Sequence, residues 1–113
     1  MKKAKKRNSI RAIKHLSPFP QETYERNALI YRILANHKRL EILNILKKRE
    51  LTVEELRKAL KIRKANLSQH LAILRAHYLV KVRRDGRNMY YTVRDPRIIE
   101  PCKILHQFWK KEV

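Results

Sequence analysis

Lys64, Asn66, Ser68 and Gln69 lie close together and carry only hydrogen-bonding groups. Asn and Gln can each donate to and accept from a base edge, and an α-helix fits the major groove of B-form DNA. On one helix face this set suits direct base readout. A solvated helix face has the same composition, so the stripe needs company before it means recognition. The company is basic. Arg63 precedes the stripe, and Lys81, Arg83, Arg84 and Arg87, with Asn88, surround an Asp-Gly pair further on. Side chains of these types hold phosphates. Between residues 61 and 94 nine basic residues stand against one acid, Asp85. A merely solvated surface mixes its signs, so this stretch points to a nucleic acid.

Other chemistry is poorly represented. There is no Cys-x-x-Cys, HExxH, phosphate-cradling glycine loop or nucleophile elbow, and His15, His37, His77 and His106 show no ligand-like clustering. No enzyme, cofactor or metal is expected. The single cysteine, Cys102, excludes an internal disulfide and suits a reducing cytosol. It reads as a small buried hydrophobe, with redox sensing or an intersubunit disulfide as the alternatives.

The elements that must carry these residues are legible. Thr52 stands three residues before Glu55, a capping-box spacing that starts a helix over residues 53 to 60. After a break at Lys61 and Ile62, Leu67, Leu71 and Leu74 resume helical spacing over residues 64 to 75. Two short helices joined by a tight turn form a helix-turn-helix, the leucines inward and the polar stripe outward. Upstream, Leu29, Ile30, Ile33 and Leu34 mark a first helix over residues 22 to 35, with Glu22 and Glu25 where the dipole favours acids. Asn36 caps a second, whose Leu40, Ile42, Leu43, Ile45 and Leu46 form an apolar belt central to the core.

Residues 79 to 93 hold Asp85-Gly86 between two runs rich in valine and tyrosine, a hairpin signal. Taking Asp85 and Gly86 as a type I′ turn sets Arg84 opposite Arg87, Arg83 opposite Asn88, Val82 opposite Met89, Lys81 opposite Tyr90 and Val80 opposite Tyr91. Val80, Val82, Met89 and Tyr91 then share an apolar face, and Lys81, Arg83, Asn88 and Tyr90 the polar one. The facing pair of arginines repel each other and invite an anion. A last helix starts near Glu100-Pro101, its apolar stripe formed by Cys102, Leu105 and Trp109 with Ile98 and Ile99 upstream, and Ile104 and Phe108 widening it.

With 113 residues the chain can bury one modest core, and 29 basic against 10 acidic residues give +19 and a pI near 10.7. That balance seeks a polyanion. Residues 1 to 21 contribute seven of the basic residues, Lys2, Lys3, Lys5, Lys6, Arg7, Arg11 and Lys14, and no acid. They read as a flexible basic tail in which Ile10, Ile13 and Leu16 could form a short induced helix, and residues 22 to 113 as the folded domain. The tail either lies along DNA or simply keeps the chain dissolved. No apolar run is long enough to span a membrane and no signal-peptide core is present, so a cytoplasmic, nucleoid-associated protein without membrane partners is expected.

These residues together resemble the ArsR/SmtB family of winged helix-turn-helix repressors. LANHKRLEIL from residue 34 is similar to its L-A-x-x-x-R-L-x-I-L signature, and ELTVEEL from residue 50 to its third-helix start. ANLSQHLAILRAHYLVKVRRDGRNMYYTV, residues 65 to 93, is similar to its recognition helix and wing. The resemblance implies a mainly α fold of five helices with a small β-hairpin wing, a homodimer joined through its first and last helices, and operator binding with repression. It sets His70 beside DNA.

The chain departs from the family pattern where metals are sensed. Thr52-Val53-Glu54 replaces a C-V-C pattern, Asp95 is followed by Arg97 where a His is usual, and His106 by Trp109 where a Glu is usual. Arg63 replaces a capping serine and Tyr78 a glycine. The apolar side chains Leu29, Ile30, Ile33, Ile98, Ile99, Cys102, Leu105 and Trp109 exceed what one small core can hide, so they are expected at an interface with a second copy. Competing readings are a low-specificity chromatin-type DNA-coating protein and, further off, an RNA-binding protein. A membrane-surface protein is disfavoured because no helix pairs a basic face with a long apolar one.

Overall fold

The computed structural model describes residue 10 and residues 12–112, with side chains to residue 110. The chain divides after Tyr31 into two units. In the first, residues 12–15 are helical and end where Leu16 N–H donates to the Ile13 carbonyl at 3.0 Å. Ile10, Ile13 and Leu16 are all exposed. Helix α1 (Gln21–Leu34) follows. The Phe19 and Tyr24 rings meet edge to face, and Glu22 pairs with Arg26 at 2.6 Å one turn on. The short helical stretch at 12–15 is additional to the five expected helices.

The second unit begins within the last turn of α1, where Ile33 is buried. Helix α2 (His37–Lys48) starts at Asn36, whose side chain accepts from the N–H groups of Lys38 and Arg39, both at 3.0 Å. Its Ile42, Leu43 and Leu46 are buried at the centre of the core. Helix α3 (Val53–Leu60) carries the expected capping box: Thr52 Oγ1 accepts from Glu55 N–H, and the Glu55 carboxylate accepts from Thr52 N–H. Lys61, in a left-handed conformation (φ 55°), ends it. Helix α4 (Lys64–Ala76) buries Leu67, Leu71 and Leu74. Truncating such a leucine to alanine typically costs about 2–5 kcal/mol, which measures how firmly α4 is seated.

The turn after α4 places Tyr78 at φ +59°, the left-handed region that a glycine would occupy without strain. Leu79 N–H returns to the Leu74 carbonyl at 2.9 Å, and strand β1 (Val80–Asp85) pairs antiparallel with β2 (Asn88–Val93). Here the register differs from expectation. Asp85 faces Asn88, Arg84 faces Met89, Arg83 faces Tyr90, Val82 faces Tyr91 and Val80 faces Val93. The turn residues are Gly86 and Arg87, and only Gly86 has positive φ (+63°). This is the pattern of a II′ turn, with glycine first, rather than I′, which needs positive φ twice. The slip is two residues, so every side chain keeps its face, but the expected Arg84–Arg87 pair does not exist.

Leu51 exchanges two backbone hydrogen bonds with Tyr91, at 3.1 and 2.8 Å, and so adds a one-residue strand to the hairpin. A single 3-10 turn (Pro96–Ile99), capped by Asp95, leads into α5 (Glu100–Glu112). Among the described residues no buried side chain is charged or polar, and no helix is long and apolar enough to cross a membrane. The architecture is mainly α with a hairpin wing behind a helix-turn-helix.

Candidate nucleic-acid interface

Burial of three leucines fixes which side of α4 is free. Lys64, Asn66, Ser68 and Gln69 are all exposed on it, and Arg63 is exposed immediately before it. No side chain caps the first turn and no acid lies in it, so the helix start combines unsatisfied N–H groups with two cations. Such an end is suited to a phosphate oxygen.

The cations flanking this helix divide by their partners. Of the nine basic residues between 61 and 94, Arg83 alone has an acidic partner within 4 Å among the described residues. Lys61, Arg63, Lys64, Arg75, Lys81, Arg84, Arg87 and Arg94 have none, although Arg94 lies over the Tyr78 ring at 5.6 Å. Most acids elsewhere are engaged: Glu22 with Arg26, Glu41 with Lys38, Glu54 with Arg57, Asp95 with Arg97, Glu100 with Lys47. Cations without an acidic partner also occur elsewhere among the described residues, Arg32, Lys48 and Lys58 for example, but between residues 61 and 94 eight of the nine lack one and Asp85 is the sole acid.

Arg83 differs from the others. Its Nη2 and Nε donate to the two Glu50 oxygens at 2.6 and 3.1 Å, its guanidinium lies 4.7 Å from the Tyr90 ring centroid, and Asp85 stands 3.7 Å away. The hydrogen bond from Arg83 holds the Glu50 carboxyl below its ordinary range. Nothing in the sequence signals this pair, whose members are 33 residues apart.

His70 is half-buried, and its Nδ1 is buried without a hydrogen-bond partner. Burial lowers its pKa, and Arg39 and His37 lower it further. His70, which the resemblance sets beside DNA, is thus a partly enclosed imidazole whose charged form is disfavoured by its surroundings. Lys81, Arg84, Arg87 and Asn88 are exposed as expected.

The apolar residues also divide. Ile33 is 8% exposed and Ile99 2%, so both belong to the core of the single chain and not to its surface. Ile30, Ile98 and Cys102 are half-buried, whereas Leu29, Leu105 and Trp109 are exposed. Helix α5 also exposes Ile104 and Phe108, the latter edge to face with Trp109 at 5.2 Å. These two widen the exposed stripe, as their spacing predicts.

The positions where related folds hold metal are otherwise committed. Thr52 Oγ1 caps α3, and the Asp95 carboxylate is bound by Arg97 at 2.7 Å. A hydroxyl at 52 and a carboxylate at 54, already paired with Arg57, cannot replace thiolates toward a soft ion, so the residues present do not fit that group. Among the described residues no three His, Cys, Asp or Glu side chains converge.

Comparison with known proteins gives the same direction. Residues 36–82 match the family described as bacterial regulatory protein, arsR family. The chain is 32% identical over 97 residues to the transcriptional activator HlyU of Vibrio cholerae, covering 82% of this chain and 90% of that protein. It is 39% identical over 72 residues to the transcriptional repressor SmtB homolog of Synechocystis, covering 64% and 54%. Among solved structures, the homodimeric winged helix-turn-helix DNA-binding domain of Mb0332 from Mycobacterium bovis superposes with a TM-score of 0.70 at 25% identity, covering 86% of this chain and 90% of that one.

Proposed function

Because the chain belongs to the arsR family of bacterial DNA-binding transcriptional regulators, we propose that it binds double-stranded DNA sequence-specifically as a homodimer and represses transcription. Regulators of this family bind DNA and act as homodimers. The observation that carries the reading for this chain is the exposed polar side of α4 together with eight cations between residues 61 and 94 that have no acidic partner among the described residues. In this reading Lys64, Asn66, Ser68 and Gln69 read base edges in the major groove. Arg63, Lys81, Arg84, Arg87 and Asn88 hold phosphates, with the hairpin tip over the backbone or minor groove.

The exposed side of α5, with Leu105, Trp109, Ile104 and Phe108, supplies the dimer contact, and the exposed Leu29 of α1 is a further apolar position in its own unit. Two copies would present recognition helices to half-sites about 34–36 Å apart. No metal is required, since the residues at the usual sensing positions are spent on capping and ion pairing. The basic residues 1 to 21 act as an arm along the DNA, and the protein works in the cytoplasm on the nucleoid.

The net charge of +19 favours a second reading, a low-specificity DNA-coating protein. Selection of bound duplexes from a random pool, followed by competition with shuffled duplex and with structured RNA, separates the readings. An enriched palindromic site that shuffled duplex cannot displace is the expected result. Equal competition by shuffled duplex at physiological salt supports the coating protein, and stronger competition by RNA overturns both, because an A-form major groove does not admit a helix.

A further inference from the structure

We propose that Glu50 is a positioning residue for DNA binding: it clamps Arg83 and thereby sets the angle of the hairpin, so that Arg83 holds the wing and not a phosphate. The inference rests on the reading of the chain as a DNA-binding protein and deepens it.

Glu50 is itself well placed to act as an anchor. On one side Arg49 ends α2 and reaches Glu55 at 3.7 Å; on the other Leu51 is hydrogen-bonded twice to Tyr91, and Thr52 caps α3. From this fixed backbone the carboxylate meets Arg83 with both oxygens, the geometry that gives an arginine–carboxylate pair its directionality. Tyr90, the cross-strand partner of Arg83, supplies its ring on a further side of the guanidinium. With Asp85 3.7 Å away, two acids already neutralise this cation.

Such a pair, half exposed to solvent, adds little to folding stability. What it adds is direction. Among the described residues the Glu50–Arg83 bonds are the only side-chain hydrogen bonds between the hairpin and any other element. A two-stranded hairpin is marginal alone. Val80, Tyr91 and Val93 seat its base in the core, the Leu51 bridge holds one edge, and the Glu50–Arg83 tie is what fixes the direction nearer the tip. Arg84 and Arg87, beyond the clamp and without acidic partners, are then delivered to the phosphates.

A double-mutant cycle with salt titration tests this on the intact chain and a duplex recovered by selection. Glu50→Gln and Arg83→Ala each weaken binding by roughly three- to tenfold, and the double variant is no weaker than either alone. The slope of log affinity against log salt stays unchanged in Arg83→Ala, whereas Arg84→Ala lowers it by about one unit per half-site. The exchange of Glu50→Arg with Arg83→Glu restores affinity above either single reversal. A slope lowered by about one per half-site in Arg83→Ala, or tighter binding by Glu50→Gln through release of a free cation, overturns the proposal and makes Arg83 a phosphate ligand. If the unsubstituted chain recovers no duplex at all, the DNA-binding reading itself fails, an outcome distinct from either of these.

Discussion

Arg84 stands across the hairpin from Met89 and not from Arg87, which occupies the turn. Neither arginine therefore relieves strain in the other, and each is available to an external anion on its own. Arg84→Ala should weaken binding to every duplex alike and flatten the salt slope by about one unit per half-site, with Arg87→Ala adding independently. Titrations in increasing salt on selected and random duplexes check this; a loss confined to the selected duplex would contradict it.

Gln69 projects from the exposed side of α4, opposite the buried leucines. Gln69→Ala should lower discrimination between the selected site and a site changed at one base pair by about 1–3 kcal/mol, while leaving the salt slope intact. Competition binding with single-base-pair variants measures it. Equal losses on specific and random DNA would remove Gln69 from the base-reading set.

Tyr78 holds a left-handed backbone at φ +59° with its ring largely in solvent. Replacing it by Gly and by Ala removes the same contact with Arg94, so the two variants differ chiefly in backbone strain. Tyr78→Gly should be more stable than Tyr78→Ala by about 1 kcal/mol in urea denaturation. Equal midpoints would mean that the turn relaxes.

The lowered pKa of His70 follows first from burial, then from Arg39 and His37. The unfolded chain therefore takes up a proton more readily than the folded one. Its contribution to stability is complete above the ordinary histidine pKa and shrinks as pH falls below it. Denaturation at about pH 7.5 and about pH 5.5 should show the native chain losing more stability on acidification than His70→Gln. An equal loss in both chains would assign the acid sensitivity to other groups.

Trp109, 62% exposed on α5, has only Phe108 as an aromatic neighbour among the described residues. Trp109→Asp should leave the thermal transition of the single chain nearly unchanged, since surface changes usually fall within about 0.5 kcal/mol, but convert a dimer to a monomer. Light scattering across a concentration series reads it. A dimer unaffected by this change would move the interface off α5.

Much of this was legible because its determinants are local. Asn36 and the Thr52–Glu55 box act within one helical turn, and the structure begins α2 and α3 where they dictate. The hairpin register was not, because alternation repeats every two residues and two registers two residues apart sort the same side chains to the same faces. The deciding factor was which central turn residue takes positive φ. The roles of Ile33 and Ile99 were hidden for a related reason. Periodicity gives the width of an apolar stripe and not which part of it the chain covers itself. The engagement of Arg83 lay beyond any local pattern.

The connection from α2 to α3 is four residues long, and none is idle: Arg49 reaches Glu55, Glu50 holds Arg83, Leu51 joins β2 and Thr52 starts α3. Surface loops ordinarily absorb insertions at small cost. This one cannot lengthen or shorten by a single residue without breaking at least one of those ties, so natural or designed variation among such chains should change its side chains and conserve its span.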